Sequence, residues 1–281
     1  MIAQLSRRSI GIVVRPWGNG LERLGHQLDF GVRVLASLPH AARAYRRQTM
    51  VALTDIVWGA GSLVVGGGTA AVLIFLGLAI GGSVGVEGLD TLNRVGMGPL
   101  TGFVSAYANT RELAPIVAAV GFAAQAGCRM TAEIGAMRIA EEIDALEALA
   151  VRPIAFVVAT RVLAGVLTIV PLFLIALVMA YLACATAVNL VHGQSPGTYF
   201  HYFGAFLRPA DVACAVLKAV VLVAVVIVIH CYHGFFASGG PEGVGRACGH
   251  AIRASLVAVI VVDMVLTTLF WGADSGVRIS G

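Results

Sequence analysis

Five long apolar stretches constrain the fold of this chain more than any other feature of its sequence. A helix needs about 20 mainly apolar residues to cross the hydrocarbon core of a membrane. The stretches that meet this length run from Val51 to Ile80, Leu100 to Cys128, Ile154 to Val191, Val212 to Phe236 and Ala251 to Trp271. With 58% hydrophobic and only 12% charged residues, the composition is typical of a polytopic membrane protein. We therefore predict an all-α fold with about five transmembrane helices.

The first 50 residues are expected to form a cytoplasmic region, residues 1–50, ahead of a membrane domain over residues 51–281. Leu21 to Leu38 carries apolar residues at helical spacing with charged residues opposite, and Pro39 is expected to end that helix. Such a pattern predicts an amphipathic helix in the membrane interface. Eight of the arginines precede Val51. Because basic residues mark the cytoplasmic side, we predict the N-terminus inside and, after five spans, the C-terminus outside.

The sequence carries no pattern for an enzyme or for nucleic-acid binding. The arginines lack the interleaved aromatic residues of a nucleic-acid site, and no nucleophile or carboxylate motif stands out. Five cysteines show no metal-binding spacing, so neither a metal nor a cofactor is expected in this chain. His230 and His233 could hold zinc, but their position at the end of a span favours side chains that reach the headgroups.

A run of glycines marks the first apolar stretch. No Lys-Ser or Lys-Thr pair follows it, which argues against a phosphate-binding loop. Close packing against another helix, inside this chain or in a partner subunit, is the favoured role. The glycines are Gly59, Gly61, Gly66, Gly67 and Gly68.

A charged helix is predicted between the second and third apolar stretches, from Thr131 to Leu149. Its apolar residues recur in steps of four and three, at Ile139, Ile143, Leu146 and Leu149. Charged residues occupy other positions, at Glu133, Arg138, Glu141, Glu142, Asp144 and Glu147. Arg138 and Glu142 stand four residues apart, a spacing that permits an ion pair. Such a helix is either a linker on the lipid headgroups or a docking element.

Three ionisable residues stand out inside the predicted spans, where a charge is costly and usually faces a partner or a cavity. They are Glu112, Lys218 and Asp263, and the topology places all three in the outer half of the bilayer. Lys218 is expected to pair with one or both carboxylates, and Arg111 to bring the set to neutrality. This cluster could line a transport path, fix helix register as a buried ion-pair network, or relay protons.

Several segments resemble the MlaE/YrbE family of lipid-transporter permeases. They are RELAP, AAQAG, TAEIGAMR, AEEIDALE, AVRPI and TRVLAG in the middle of the chain, then FLRPADV, LKAVVLVAVVI, GGPEGVGRA and SLVAVIVVDMVLT. The resemblance implies five spans and a coupling helix, at Thr131 to Leu149, that docks on a separate ATPase subunit. It also implies that Glu112, Lys218 and Asp263 form a polar cluster near the lipid path.

Within that family, the GQSPGTY and FLRPADV segments look most like the B-type YrbE permeases of mycobacterial Mce systems. This resemblance implies an ABC-transporter core in the plasma (inner) membrane, with ATP and Mg bound by partner ATPase subunits. The other implied partners are an A-type YrbE permease and periplasmic Mce proteins, and the implied substrates are sterols or fatty acids. A proton-driven secondary transporter and a non-transporting membrane scaffold are the alternatives.

Overall fold

A computed structural model describes residues 22, 25–59, 68–191 and 193–272, and the regular structure in these ranges is helical. The helices are α1 (25–44), α2 (Arg46–Trp58), α3 (Gly68–Arg94), α4 (Gly98–Ile139), α5 (Glu142–Ala148), α6 (Ile154–Leu190), α7 (Pro196–Phe206), α8 (Pro209–Phe235) and α9 (Gly240–Trp271). Helices α3, α4, α6, α8 and α9 are each long and apolar enough to cross a membrane. The predicted all-α class with five spans is confirmed.

The five long helices run alternately in opposite directions, so the bundle has two distinct ends. One end carries α5 and the turn between α8 and α9, and we refer to it as the α5 end. Helix α1 packs there, because the ring of Phe30 contacts those of Tyr232, Phe235 and Phe236 at the end of α8. The opposite end carries α7 and is called the α7 end.

Helix α1 is longer than predicted, and it packs on the bundle through residues other than those of its main apolar stripe. It continues through Pro39 to residue 44, and Pro39 is exposed, where water or headgroups can reach the backbone that it leaves without a donor. Phe30, Val34 and Ala41 are its buried residues. The apolar residues Leu28, Val32 and Leu35 are all more than 60% exposed, which is the face that an interfacial helix turns to lipid.

The first span begins and ends later than the sequence predicts. In place of one helix from Val51 to Ile80, α2 ends before Gly59 and the span is α3. Gly59 and Gly68 adopt φ angles of 68° and 63°, a left-handed conformation that glycine tolerates and that interrupts a helix. Gly61, Gly66 and Gly67 lie outside the described residues.

Helix α3 remains helical beyond Ile80 because a stripe of glycines packs directly on α6. Gly77, Gly81 and Gly85 face Ala176, Ala180 and Cys184. A Cβ atom added at Gly81 would collide with the carbonyl oxygen of Ala180. Small residues at every fourth position let two backbones approach closely, which is how helices associate where lipid offers little hydrophobic gain. Close glycine packing of the kind expected for the first span is therefore made within this chain at Gly77, Gly81 and Gly85. Packing by Gly61, Gly66 and Gly67 stays a prediction.

Candidate functional site

The site begins with a distortion of α4 at the RELAP segment. Ser105–Leu113 forms a π-helix, in which the Ala114 N–H donates to the carbonyl of Asn109, five residues earlier. Pro115 has no N–H, so the carbonyl of Arg111 lacks the donor that an α-helix would provide. The Lys218 ammonium donates to this oxygen at 2.8 Å. The order Arg-Glu-Leu-Ala-Pro thus creates a backbone acceptor inside the membrane segment.

Four side chains from three spans form an inner tier of the site: Glu112 on α4, Lys218 on α8, and Asp263 and Thr267 on α9. Lys218 Nζ lies 3.0 Å from Glu112 Oε2, 2.9 Å from Asp263 Oδ1 and 2.6 Å from Thr267 Oγ1. The Thr267 hydroxyl donates to Glu112 Oε1 at 2.8 Å. The structure therefore brings together the three ionisable residues that the sequence singles out. Thr267 was missed, although its position four residues after Asp263 places it on the same helix face.

Arg111 belongs to a separate outer tier with Tyr107, Asp211 and Trp271. Its Nη2 donates to Asp211 Oδ2 at 2.9 Å, and the indole N–H of Trp271 donates to Asp211 Oδ1 at 2.9 Å. The guanidinium carbon lies 4.2 Å from the ring centre of Tyr107 and 5.1 Å from that of Trp271, within cation–π distance of both rings. Asp211 stands seven residues before Lys218, so its backbone lies about 10 Å nearer the α7 end along α8. The two tiers still adjoin, because Lys218 Nζ lies 5.7 Å from the ring centre of Trp271.

The expected neutrality of the cluster is not found, because Asp211 adds a third carboxylate. Arg111 pairs with Asp211 and leaves Lys218 to face both Glu112 and Asp263. With every group ionised, the inner tier has two negative charges and one positive charge. Sequence reasoning missed Asp211 because an acidic residue in the first turn of a helix is ordinary.

Helix α7 is hydrogen-bonded to the π-helical segment Ser105–Leu113 through buried polar groups. The Tyr199 hydroxyl donates to Ser105 Oγ at 2.9 Å, and the Asn109 amide donates to the same oxygen at 3.3 Å. Burial raises the pKa of Tyr199 above the ordinary tyrosine value, so the phenol remains a protonated donor. Through the Tyr199–Ser105 hydrogen bond, α7 contacts the π-helical part of α4, which carries residues of both tiers.

At the α5 end, the helix predicted from Thr131 to Leu149 is two helices. Helix α4 ends at Ile139, Glu141 takes a left-handed φ of 58°, and α5 begins at Glu142. The chain turns at this break, and Arg138 pairs with Asp144 at 2.6 Å and not with Glu142 as the spacing suggested.

The break also divides the predicted apolar stripe. Ile143 is fully buried in the core of this chain and Leu146 is partly buried against that core. Ile139 and Leu149 are exposed. The surface that α5 and the preceding turn present is acidic, and it consists of the exposed residues Glu141, Glu142, Asp144 and Glu147.

Glu133 is also exposed, but it forms ion pairs with two arginines of its own chain. Its carboxylate bridges two arginines, with Oε1 at 3.4 Å from Arg129 Nε and Oε2 at 3.3 Å from Arg161 Nη2. The pair with Arg161 joins α4 to α6 near the α5 end, whereas the pair with Arg129 lies within α4. Glu133 therefore links the end of α4 to α6.

His230 does not reach the headgroups as the sequence suggested. It is fully buried, and its Nδ1 lies 2.8 Å from Thr131 Oγ1 on α4. Gly127 makes room for the ring, because a Cβ there would approach His230 Cδ2 to 2.7 Å. Among the described residues, no group of three or more His, Cys, Asp or Glu side chains is placed to hold a metal ion.

Comparison with known proteins supports the resemblance seen in the sequence. Residues 59–269 match the family described as Permease MlaE. The chloroplast protein TRIGALACTOSYLDIACYLGLYCEROL 1 of Arabidopsis thaliana is 30% identical over 200 residues, which cover 71% of this chain and 57% of the relative. A probable ABC transporter permease protein of Rickettsia felis is 33% identical over 166 residues, which cover 58% and 62%.

The MlaE permease protein of an intermembrane phospholipid transport system in Haemophilus influenzae is 28% identical over 211 residues. That alignment covers 75% of this chain and 81% of the relative. The matches to the Arabidopsis and Rickettsia proteins span less than two thirds of those proteins.

Proposed function

The chain belongs to the MlaE permease family, and from that premise we propose that it is the permease subunit of an ATP-driven, Mce-type lipid importer. Its substrates are sterols or fatty acids. ATP and Mg bind to separate ATPase subunits that dock at the α5 end. An A-type YrbE permease completes the membrane core, beneath periplasmic Mce proteins. The complex lies in the plasma (inner) membrane, with the N-terminus of this chain in the cytoplasm and the C-terminus outside.

The observation that carries this proposal is the continuity of α4. This single helix of 42 residues contributes Arg111 and Glu112 to the two tiers and ends beside α5. A displacement of α5 by an ATPase would therefore reach the inner tier through one element. The π-helical segments Ser105–Leu113 and Ala123–Gly127 are the places where its hydrogen bonding already departs from an α-helix.

The inner tier supplies what an amphiphilic lipid needs in a mostly apolar protein. A headgroup requires polar lining, whereas its tail can remain among apolar side chains. Glu112, Lys218 and Asp263 are ionisable groups that meet inside the spans, and such groups within a membrane usually mark a functional path. This supports placing the inner tier on the lipid path.

Copurification tests the docking of an ATPase. Glu142→Lys reverses a charge on the exposed acidic surface of α5 without disturbing a buried group, and it should release the ATPase while the permease still inserts. Glu242→Lys is the matched control, because Glu242 is also exposed at the α5 end but lies on α9. Retention of the ATPase by Glu142→Lys, or equal release in the control, would contradict docking on α5.

A further inference from the structure

The positive charges of the site are hidden, and its exposed charge is negative. Lys218 is fully buried, and the Arg111 side chain is only 5% exposed. The Glu112 side chain, in contrast, is 35% exposed. Whatever approaches the inner tier from outside the chain therefore meets a carboxylate first.

Neither cation can turn toward an anionic ligand without losing contacts that it already makes. Lys218 has three N–H donors and four oxygens within 3.0 Å, from Arg111, Glu112, Asp263 and Thr267. The Arg111 guanidinium is held by Asp211 and lies against two aromatic rings. A phosphate or carboxylate headgroup would have to displace one of these partners and leave it buried without a counter-charge.

We propose that the inner tier selects lipids by headgroup charge, with Glu112 as the residue that determines specificity. A hydroxyl or an ammonium group can donate a hydrogen bond to the exposed carboxylate, whereas an ionised carboxylate or phosphate monoester is repelled by it. Of the two substrate classes named above, the neutral sterol hydroxyl fits this site and the fatty-acid carboxylate does not. This inference rests on the proposed function, in which the inner tier lies on the lipid path.

The test uses three lipid probes that have one identical hydrocarbon tail and differ in the headgroup. They are a fatty alcohol, a fatty amine and a fatty acid, at a pH where the acid is ionised. Each probe competes with a labelled lipid for the full permease complex in nanodiscs. We expect the alcohol and the amine to bind at least about fivefold more tightly than the acid, the effect of one like-charge contact even in a watery setting. An acid that binds as tightly as the alcohol overturns the proposal.

Two isosteric variants locate the selecting group. Glu112→Gln and Asp263→Asn each remove one negative charge from the inner tier and leave Lys218 with one carboxylate, but the Asp263 side chain is only 7% exposed. Glu112→Gln should reduce the discrimination against the acid to about twofold or less, and Asp263→Asn should preserve most of it. Equal effects of the two variants, or no effect of either, contradict the role assigned to Glu112. If Glu112→Gln does not fold, the ranking of the probes on the unmodified complex still decides whether the site selects lipids by headgroup charge.

Competition binding, together with transport measured for the two variants, separates headgroup selection from the proposed path. If the probes compete with the labelled lipid but the acid ranks first, selection by Glu112 is wrong and the path stands. If no probe competes and both variants transport at the unmodified rate, the inner tier is not on the path, and the proposed role of the site fails with it.

Discussion

Lys218 is a buried ammonium whose partners come from α4 and α9. Removing it leaves Glu112 and Asp263 side by side without a counter-charge, which typically costs roughly 3 to 5 kcal/mol. Lys218→Ala should therefore destabilise the chain strongly. The triple variant with Glu112→Gln, Lys218→Met and Asp263→Asn leaves no charge unpaired and should cost less. Thermal unfolding of the purified proteins in detergent compares the two, and a triple variant that is the less stable would contradict this account.

Transport by the triple variant then decides between the two roles of the inner tier. Full activity with normal assembly would mean that these side chains only fix helix register. Lost transport with normal assembly would place them on the lipid path. In the triple variant all three inner-tier charges are removed together, so a loss of transport would not be due to an unpaired buried charge.

At the scale of single elements, the contact between α3 and α6 offers a test with a neighbouring control. Gly81→Ala introduces a methyl group where the Ala180 carbonyl already lies, whereas a Cβ at Gly82 has no atom within 4 Å. Gly81→Ala should lower the melting temperature and the yield of the complex. Gly82→Ala should leave both unchanged or slightly raised, because alanine is the better helix former by about 1 kcal/mol. Equal behaviour of the two variants would mean that these helices do not pack as described.

Helix α5 has a buried side and an exposed side, and substitutions should separate them. Ile143 is fully buried in the core, whereas Leu149, just beyond the helix, is 74% exposed. Ile143→Asp should prevent stable folding, because an aspartate there has no partner to offset its desolvation. Leu149→Asp should insert normally. The amount of detergent-soluble, monodisperse protein measures the difference, and a well-folded Ile143→Asp variant would contradict the burial of α5 on its own chain.

The elements also show which structural features can be predicted from one sequence. The number of spans follows from length and hydropathy, because backbone groups in lipid must be satisfied within a helix. Glu112, Lys218 and Asp263 stand out for the same reason, since a charge in an apolar run is conspicuous. The start of α3 depends on Gly59 and Gly68 with positive φ, and its continuation past Ile80 on glycines that pack against α6. The break at Glu141 depends on a left-handed residue that has no glycine to signal it. Such features are set by tertiary contacts.

For the molecule as a whole, the distribution of arginine between the two ends predicts its orientation in the membrane. Arg33, Arg43, Arg46, Arg47, Arg138, Arg152 and Arg246 lie in or beside the segments at the α5 end. At the α7 end, the connecting segments carry Arg94 and Arg208. Basic residues are retained on the cytoplasmic side of a bacterial membrane. The α5 end should therefore face the cytoplasm, where an ATPase would have its nucleotide.

Labelling of single cysteines tests this orientation in intact cells. In a chain whose native cysteines are changed to alanine, Glu147→Cys reports the α5 end and His201→Cys reports the α7 end, and both positions are exposed. A membrane-impermeant maleimide should label the α7 site in intact cells and the α5 site only after permeabilisation. Labelling of both sites after permeabilisation is the control for folding and access. The reverse order in intact cells would place α5 outside, where no ATPase could dock on it, and would overturn both the orientation and the proposed coupling through α4.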